Sequence, residues 1–414
     1  MASVLQIILF ASSAVGIAFS ALAIILLKSA RRQSEATKWA RLSLPPISVF
    51  KPLKGVDEDL ERNLRTFFQL DYPKFELIFG VEDSTDPAIS IVKKLCREFP
   101  QCQTRLVIDA TRIGHNPKVN NLSNMSRVAS HDFWVISDSN VRVDPDYLAD
   151  LMGHMQTSNV GLITSVIMGV GGRSLGARLE NLHLNTLILG ATLVVNGFSD
   201  IPVSIGKSML LRRETIKQLG GFEAFASFLL EDALLGQRIR SSGLTTQTTI
   251  RPVHNVNSNI SVSKFVGRHF RWGVGRFWLS PTSYLGEIFS NSVFVALAGV
   301  FIDPTPVTIA VASTVVLTKT TLDLFLCRSF GGVTSALECA VLPIKDLMIA
   351  GIWFAPFFTR HVNWRGNNIR VGKLSQATLV RSLDSFGTKP PHYVNSIIES
   401  RKSVVTETTA QAWG

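Results

Sequence analysis

The feature that most constrains this chain is an uncharged apolar run from Val4 to Leu27, 24 residues long. A helix rises about 1.5 Å per residue, so a run of this length spans a hydrocarbon core about 30 Å thick. A cleaved signal peptide would carry its basic residues before the apolar run. Here they follow it: Lys28, Arg31, Arg32, Lys38 and Arg41. Because basic flanks stay cytoplasmic, the sequence predicts an uncleaved anchor, residues 1–30, with its N-terminus outside.

Three further apolar blocks lie in the C-terminal third, at Ile288–Ile302, Val307–Leu326 and Leu347–Phe358. The first is short for a span, and the second contains Lys319 and Asp323. Two arrangements are compatible with this: all three blocks span, or the first lies partly in the interface and two span. The residues after 358 are rich in Arg and Lys, which favours a cytoplasmic tail and an even number of spans. We therefore expect membrane helices over 288–358 and a basic tail over 359–414.

The composition supports a membrane protein with an anionic partner. Only 18% of the residues are charged and 46% are hydrophobic, which excludes a disordered chain. The four cysteines are too few for a disulfide scaffold and fit a reducing compartment. The net charge of +11 suits phosphate ligands or an acidic membrane surface. Nucleic acid is a poor candidate, because no nucleic-acid-binding module is recognisable.

Residues 44–280 have the pattern of an α/β domain. Ile47–Phe50, Phe75–Val81, Arg105–Ile108 and Phe133–Ser137 have the length and apolar character of strands. Helical segments alternate with them, one at Asp57–Gln69 and another that opens at Asp86-Pro87. Such alternation predicts a mostly parallel sheet with helices on its faces. Gly169–Ser174 is glycine-rich but matches no phosphate-loop pattern, so we expect a loop there.

Carboxylates follow two of these strands. Glu82-Asp83 comes after Phe75–Val81, and Asp138-Ser139-Asn140 comes after Phe133–Ser137. Ligands of parallel sheets bind beyond the carboxyl ends of the strands, although such residues also serve simply to cap turns. Asp138 and Asn140 offer oxygen ligands for Mg²⁺ or Mn²⁺, which would bridge a diphosphate. Two acidic sites on one edge favour a functional interpretation.

Lys118 lies in Asn116–Asn121, just before the helix that precedes the Asp138 strand. It could hold a phosphate oxygen as a point charge, or it could be a solvated lysine at a helix start.

Glu231-Asp232 follows the apolar run Phe225–Leu230. Partial desolvation raises the pKa of a carboxyl group and suits a general base. The alternative is that the pair only begins a helix, where acidic residues are favoured.

The last cluster is the segment Arg268–Gly273. Arg268 and Arg271 are three residues apart and share a helical face, so they could grip a diphosphate. Trp272 could stack on a substrate or lie at the level of the lipid headgroups. A basic amphipathic helix on anionic lipid explains the same residues.

Taken in order, Asp83, Asp138, Asp232 and Arg268-x-x-Arg271-Trp272 resemble the three aspartates and the closing (Gln/Arg)-x-x-Arg-Trp motif of processive-type family 2 glycosyltransferases. The resemblance is closer to the ceramide glucosyltransferases of family 21, to which bacterial hopanoid glycosyltransferases are related. It extends from the anchor to the tail. The matching segments are Phe50–Gly55, Thr66–Lys74, Asp86–Ile89, Asn116–Leu122, Asp138–Val143, Glu231–Asp232 and Trp364–Gly366.

This resemblance implies a GT-A-like fold and a role for each residue. Asp83 would bind uridine, Asp138 would act at the metal and diphosphate, and Asp232 would be the catalytic base. The donor would also be held by Lys118, Gly206, Ser208, Arg268, Arg271 and Trp272. Two features differ from the family pattern: Asn140 replaces a second carboxylate, and Leu184–Val195 lacks the histidine-containing acceptor segment of animal enzymes.

The implied function is inverting transfer of glucose from UDP-glucose to the primary hydroxyl of ceramide, with Mg²⁺ or Mn²⁺, in a multi-pass membrane protein whose catalytic domain faces the cytoplasm. The alternatives are transfer of N-acetylglucosamine or another hexose to a hopanoid or other lipid alcohol, and a non-enzymatic scaffold that binds anionic lipid. A two-carboxylate glycosidase would leave Lys118 and the arginine pair unexplained. The sequence leaves the oligomeric state open.

Overall fold

The structure is a computed structural model that describes residues 4–36, 44–155, 159–199, 201–364, 367–382 and 396–400. The parallel part of its main sheet comes first in the chain. Its strands are β1 (Ile47–Pro52), β2 (Phe75–Val81), β3 (Gln103–Ile108) and β4 (Phe133–Ile136). Three helices alternate with them: α2 (Leu60–Phe68), α3 (Ala88–Glu98) and α4 (Pro117–Ser126). They follow α1 (Val4–Ala36), which contains the first apolar run.

These four strands lie in the order β3-β2-β1-β4, all parallel. The chain runs outward from β1 to β3 and then crosses to the other side of β1. The crossing makes the boundary between β1 and β4 a topological switch point, where open α/β sheets bind ligands. Val49 and Phe50, adjacent in β1, belong to apolar clusters on opposite faces, so the sheet is covered on both sides.

The second half of the domain extends the sheet beyond β4. Its strands are β5 (Val141–Arg142), β6 (Val160–Gly171), β7 (Met209–Arg212) and β8 (Thr245–Asn257). Its helices are α5 (Tyr147–His154), α6 (Leu175–His183), α7 (Leu189–Phe198), α8 (Arg213–Gln218) and α9 (Glu231–Ser241). A π-helical turn at Leu184–Ile188 joins α6 to α7, and a 3-10 turn lies at Phe222–Phe225.

The remaining elements are mostly helical. They are α10 (Val262–Leu279), α11 (Pro281–Glu287), α12 (Ser292–Ile302), α13 (Pro306–Phe330) and α14 (Ala336–Trp353). A separate three-stranded sheet follows, made of β9 (His361–Trp364), β10 (Asn367–Val371) and β11 (Ala377–Ser382). The strand β12 (Ser396–Ser400) pairs antiparallel with β3.

The complete order of the large sheet is β12-β3-β2-β1-β4-β7-β6-β8-β5. Six of its nine described strands run the same way, because β6 and β8 have the direction of β1 to β4 while β5, β7 and β12 oppose them. The predicted α/β class with a mostly parallel sheet is therefore confirmed. The expected loop at Gly169–Ser174 begins too early, because β6 continues to Gly171; residues 172–174 do form the connection to α6. Glycine is required at position 169 of this strand, because a Cβ atom there would lie only 2.7 Å from the Cα atom of Asn181 and would clash with it.

Three helices in the described part of the chain are long and apolar enough to cross a membrane: Val4–Arg32, Pro306–Phe330 and Ala336–Phe357. Residues 281–290 and 292–302 form a pair bent by 73°, which is either a broken span or a re-entrant segment. Both arrangements of the first C-terminal block therefore stay open. Lys38 and Arg41, predicted to flank the anchor, lie outside the described residues.

The charges within α13 are paired. Lys319 donates a hydrogen bond to the Oδ2 atom of Asp323, which lies one helical turn away. Ser20 of α1 donates to the Oδ1 atom of the same Asp323 at 2.8 Å. Both charged side chains are buried. A paired and hydrogen-bonded charge is much less costly in an apolar environment than an isolated one. The pairing explains how this helix combines an apolar surface with two charged residues.

Candidate active site

The carboxyl ends of β1, β2 and β4 open onto a cavity of about 1560 Å³. It lies at the switch point of the sheet. One part of its wall is charged and the other is apolar. The charged part comes from the segments after β2 and β4, from the starts of α4 and α9, and from α10; the apolar part comes from β6, the π-helical turn and the segment before α9. A cavity of this size has room for two substrates.

Asp83 lies directly after β2 on the cavity wall. Its Oδ1 atom accepts two hydrogen bonds of 2.8 Å from the backbone N–H and the hydroxyl of Thr85. These hydrogen bonds lower the pKa of the Asp83 carboxyl group. The residue is therefore held as an oriented anion at the cavity edge.

Asp138 follows β4 and contacts two lysines. Lys118 Nζ lies 3.0 Å from its Oδ1 atom, and Lys207 Nζ lies 3.0 Å from its Oδ2 atom. Burial raises the pKa of Asp138, but the two ammonium groups more than offset it, so the pKa falls well below the ordinary value. A third lysine, Lys51 near the end of β1, donates a hydrogen bond to the backbone carbonyl oxygen of Asp138. Burial lowers its pKa.

Lys118 is placed by the start of α4. The Asn116 side chain caps this helix by accepting from the backbone N–H groups of Lys118 and Val119, and Pro117 follows at the first helical position. The lysine Nζ then reaches Asp138, the Glu231 Oε1 atom at 3.2 Å and the Gly206 carbonyl at 3.0 Å. Its pKa is raised, because the three nearby carboxylates outweigh the lowering effect of burial. Lys118 is thus a fixed cation and not a solvated helix-start lysine.

Glu231 and Asp232 form the first turn of α9. The backbone N–H of Gly206 donates to Asp232 Oδ2 at 2.8 Å, and the N–H of Ala233 donates to Oδ1 at 2.8 Å. Both oxygens of Asp232 are therefore oriented, and the residue lines the cavity. Burial raises the pKa of Glu231, and the Asp232 carboxylate raises it further, against the opposing effect of Lys118.

Gly206 and Ser208 differ in where their atoms point. Gly206 lines the cavity, and a Cβ atom there would lie 2.8 Å from both Asp232 Oδ2 and Lys118 Nζ. Ser208 is fully buried and does not line the cavity, because its hydroxyl bonds to Tyr147 at 2.8 Å and Ser165 at 2.9 Å. The Ser208 side chain therefore faces away from the cavity, and its predicted role in holding the donor stays a prediction.

The predicted metal ligands Asp138 and Asn140 do lie close to one another, but both accept a hydrogen bond from the ammonium group of Lys207. Lys207 Nζ donates to Asn140 Oδ1 at 2.8 Å as well as to Asp138 Oδ2. Within the described residues, no group of three or more His, Cys, Asp or Glu side chains is arranged to hold a metal ion. One carboxylate and one amide with a cation between them do not fit a preformed divalent-cation site. The requirement for Mg²⁺ or Mn²⁺ stays a prediction.

Arg268, Arg271 and Trp272 all lie on α10 and line the cavity opposite the aspartates. Arg268 Nη1 lies 2.8 Å from Glu180 Oε1, and His269 Nε2 lies 3.0 Å from Glu180 Oε2. Glu180, on α6, is fully buried. Burial raises its pKa, but His269 and Arg268 outweigh this and hold it at about 2. A buried anion therefore ties α10 to α6 at the motif.

The small C-terminal sheet supports the segment that leads to Asp232. The Leu229 N–H donates to the Ser375 carbonyl at 2.9 Å, and the Leu230 N–H donates to Ser375 Oγ at 3.3 Å. Ser375 is buried with φ of 64°, in the left-handed region that favours glycine. Asn363 and Trp364 from β9 also line the cavity. The tail is therefore part of the site wall.

Sequence reasoning missed Lys51, Lys207, Glu180 and Ser375. The best available signal was Glu180, a lone carboxylate within the otherwise uncharged stretch Leu179–Val195. Lys207 lies between two residues that were identified, but its partners are 67 and 69 residues away in sequence.

The chain is similar to several known glycosyltransferases. A ceramide glucosyltransferase of Caenorhabditis elegans is 29% identical over 59% of this chain and 53% of its own length. One from Komagataella phaffii is 28% identical over 57% of this chain and 58% of its own. The chain thus spans just over half the length of these curated relatives. A Pyrobaculum calidifontis mannosyltransferase, solved with GDP-Man and Mn²⁺, is 15% identical with a TM-score of 0.47, covering 84% of this chain and 99% of that one.

The family comparison covers most of the molecule. The model for glycosyl transferase family 21 matches residues 8–377, which include most of α1, all residues that line the cavity and the first residue of β11. With the sheet described above, this match confirms the predicted GT-A-like fold class. The chain belongs to glycosyl transferase family 21.

Proposed function

We propose that this protein transfers glucose from UDP-glucose to the primary hydroxyl of ceramide, with inversion, to form β-glucosylceramide. The observation that carries the proposal is Asp232, an oriented carboxylate between a cation-rich half and an apolar half of one cavity. The relatives named as ceramide glucosyltransferases support the choice of sugar and lipid. Residues 44–280 are proposed as the catalytic unit, and 1–30 and 288–358 as its membrane part.

Asp232 acts as the base in this proposal. Its carboxylate takes the proton of the acceptor hydroxyl while that oxygen attacks the anomeric carbon from the face opposite UDP. One C–O bond forms, the bond to the diphosphate breaks, and UDP leaves with the electron pair. Since the two hydrogen bonds to Asp232 come from rigid backbone N–H groups, the carboxylate needs no reorganisation during the step.

The donor occupies the polar half of the cavity. Asp83 contacts the uridine at the edge of the sheet, while Lys118, Arg268 and Arg271 face the diphosphate. Negative charge develops on that group as the glycosidic bond breaks, so fixed cations stabilise the transition state. Trp272 closes the site next to the sugar. No partner other than a nucleotide sugar and a lipid is needed to account for these residues.

The acceptor enters through the apolar half. Leu184 and Ile188 of the π-helical turn line the cavity, and the same helical segment continues as α7. Leu189 and Leu193 of α7 pack against Ala23 and Leu27 of α1, in a cluster that also includes α13. Apolar packing therefore connects the helical segment of the cavity wall to the candidate membrane helices. In this proposal the lipid hydroxyl reaches Asp232 from the membrane side while the acyl chains stay in the bilayer.

We also propose that the protein is multi-pass and that the catalytic unit faces the cytoplasm. The supporting observation is the exposed Arg31, which lies at the C-terminal end of the first candidate span and donates to the Ser329 carbonyl at the end of the second. A protease-accessible tag placed before residue 4 tests the orientation in sealed vesicles. Cleavage of that tag from the cytoplasmic side alone would contradict it.

The test of the reaction uses the full chain in detergent or nanodiscs with UDP-glucose, UDP-galactose or UDP-N-acetylglucosamine, and with ceramide or a hopanoid alcohol. Mass spectrometry identifies the lipid product, and Asp232→Asn serves as the inactive control. Glucosylceramide made only with UDP-glucose supports the proposal. A hexosaminyl-hopanoid with no ceramide product would overturn the choice of sugar and acceptor. Absence of any product and of UDP binding would favour a membrane scaffold.

A further inference from the structure

The two oxygens predicted to hold a divalent cation are joined by the ammonium group of Lys207. Nζ lies 3.0 Å from Asp138 Oδ2 and 2.8 Å from Asn140 Oδ1, both hydrogen-bond distances. The other carboxylate oxygen of Asp138 is held by Lys118 at 3.0 Å. Both oxygens of Asp138 are therefore bound by cations that belong to the chain itself.

The backbone around Lys207 is fixed on both sides. Gly206 is held by Asp232 and Lys118, and it has no room for a side chain. Ser208 is anchored by the buried hydroxyls of Tyr147 and Ser165, and its N–H donates to the Ile205 carbonyl at 3.0 Å. Lys207 lies between these two anchored residues and lines the cavity. The fold therefore sets the backbone position from which the Lys207 side chain extends into the cavity.

Lys207 and a divalent cation cannot use the same oxygens together. Mg²⁺ requires ligand distances of about 2.0–2.1 Å. An ion held by Asp138 Oδ2 and Asn140 Oδ1 would compete with Nζ for the same two oxygen atoms and would lie close to this ammonium group. Two cations close together repel strongly in a partly buried site. Either the lysine or the ion can be bound there, but not both.

We propose that Lys207 is a tethered cation for the leaving diphosphate, and that it and a divalent cation are alternative occupants of the Asp138–Asn140 oxygen pair. This rests on the proposed function for the identity of the ligand. Lysine binds phosphate oxygens as a point charge. When the donor arrives, its diphosphate meets Lys207, Lys118 and the α10 arginines without first requiring a metal. Lys207 is thereby a donor-binding residue that sequence motifs do not identify.

The experiment has a metal arm and a nucleotide arm, both on the full chain in detergent. Mn²⁺ binding without nucleotide is measured by electron paramagnetic resonance for the wild type, Lys207→Met and Lys207→Gln. Removing the tethered cation should raise Mn²⁺ affinity by about tenfold or more. UDP binding is then measured by calorimetry in EDTA, where the wild type should bind and both variants should bind about tenfold more weakly. Mn²⁺ should restore UDP binding to the variants.

Lys217→Met is the matched control, because Lys217 is an exposed lysine on α8 that does not line the cavity. It removes the same charge and should change neither Mn²⁺ nor UDP affinity by more than about twofold. Unchanged or lower Mn²⁺ affinity in both Lys207 variants would overturn the proposal, and so would unchanged UDP binding in EDTA. If no protein binds UDP with or without Mn²⁺, the proposed function fails, while the metal arm still decides whether Lys207 competes with the ion. The glutamine variant keeps the test decisive if the methionine variant does not fold.

Discussion

The backbone N–H of Gly206 donates a 2.8 Å hydrogen bond to the Oδ2 atom of Asp232, and the Gly206 carbonyl accepts one of 3.0 Å from Lys118. The backbone of one residue therefore holds both the proposed base and a proposed diphosphate-binding cation. These two residues come from the starts of α9 and α4. The relationship depends on close approach of backbone to side chain, which only glycine permits here.

Gly206→Ala should therefore reduce turnover without unfolding the protein. A Cβ atom would lie 2.8 Å from both Asp232 Oδ2 and Lys118 Nζ, so one or both must move. Because misplacement of a catalytic group by about 1 Å costs on the order of 10²-fold, we expect a loss of that order in kcat. Initial rates of glycolipid formation measure this. Gly351→Ala is the control, since a Cβ there meets nothing within 4 Å, and equal rates in the two variants would contradict the close-approach argument.

Asp232→Asn should lower kcat by about 10²–10⁴-fold, because asparagine cannot accept the proton of the acceptor hydroxyl. The amide can keep its hydrogen bond from Gly206 or Ala233, so the fold and the donor site should be preserved. UDP affinity by calorimetry should change by less than about threefold. Near-wild-type turnover with intact UDP binding would show that another group is the base.

The parts of this structure that the sequence predicts are those set by local pattern. Phe75–Val81 is a strand over the predicted residues, because a short, mostly apolar run is typical of a strand that is buried on both faces of a parallel sheet. The predicted Asp57–Gln69 helix starts later, at Leu60, because Asp59 has left-handed backbone angles. The loop predicted at Gly169–Ser174 includes only residues 172–174, because Gly169 lies in a strand where glycine permits a close contact with α6.

The site depends more on contacts between distant residues. Asp83, Asp138 and Asp232 could be found because each follows or begins an element at the binding edge of the sheet. Lys207 and Glu180 could not, because a lysine in a loop or a glutamate in a helix has no local signature of its partners. Glu180 meets Arg268 across 88 residues, and Ser375 meets Leu230 across 145.

Glu180→Gln should weaken donor binding through Arg268. The amide can keep one hydrogen bond but leaves the arginine without its anionic partner, so Arg268 is no longer held toward the diphosphate. We expect the KM for UDP-glucose to rise about tenfold with a smaller change in kcat, and stability to fall by about 1.5–3 kcal/mol. Glu180→Asp should recover part of the donor affinity. Glu287→Gln is the control. Glu287 pairs with Arg276, which lies on α10 as Arg268 does, but this ion pair is partly exposed.

The same carboxylate gives a stability effect with a defined pH window. The folded-state pKa of Glu180 is about 2, below the ordinary range of a glutamate side chain. A lowered pKa stabilises the folded state above the unfolded-state pKa, and this contribution is lost as the pH falls through the folded-state value. The difference in melting temperature between the wild type and Glu180→Gln should therefore be constant from pH 5 to 7 and shrink below about pH 4.5. A difference that grows toward acid pH would contradict an ionised Glu180.

Ser375→Ala tests whether the C-terminal sheet positions the base. The substitution removes the hydroxyl that accepts from the Leu230 N–H, while the Ser375 carbonyl still accepts from Leu229. Because Leu230 directly precedes Glu231 and Asp232, loosening it should lower kcat by about three- to tenfold and leave the KM for UDP-glucose unchanged. Ser375→Gly removes the same acceptor but relieves the left-handed strain at φ of 64°.

The two variants should therefore share the kcat defect and differ in stability, with the glycine variant melting at the higher temperature because it adopts this backbone conformation without strain. Thr378→Ala, on an exposed face of the same small sheet, is the matched control for loss of a hydroxyl. Steady-state rates and thermal unfolding of the four proteins separate the two effects. If Ser375→Gly restored wild-type kcat, the Leu230 hydrogen bond would be irrelevant to the position of Asp232, and only the backbone conformation at residue 375 would matter.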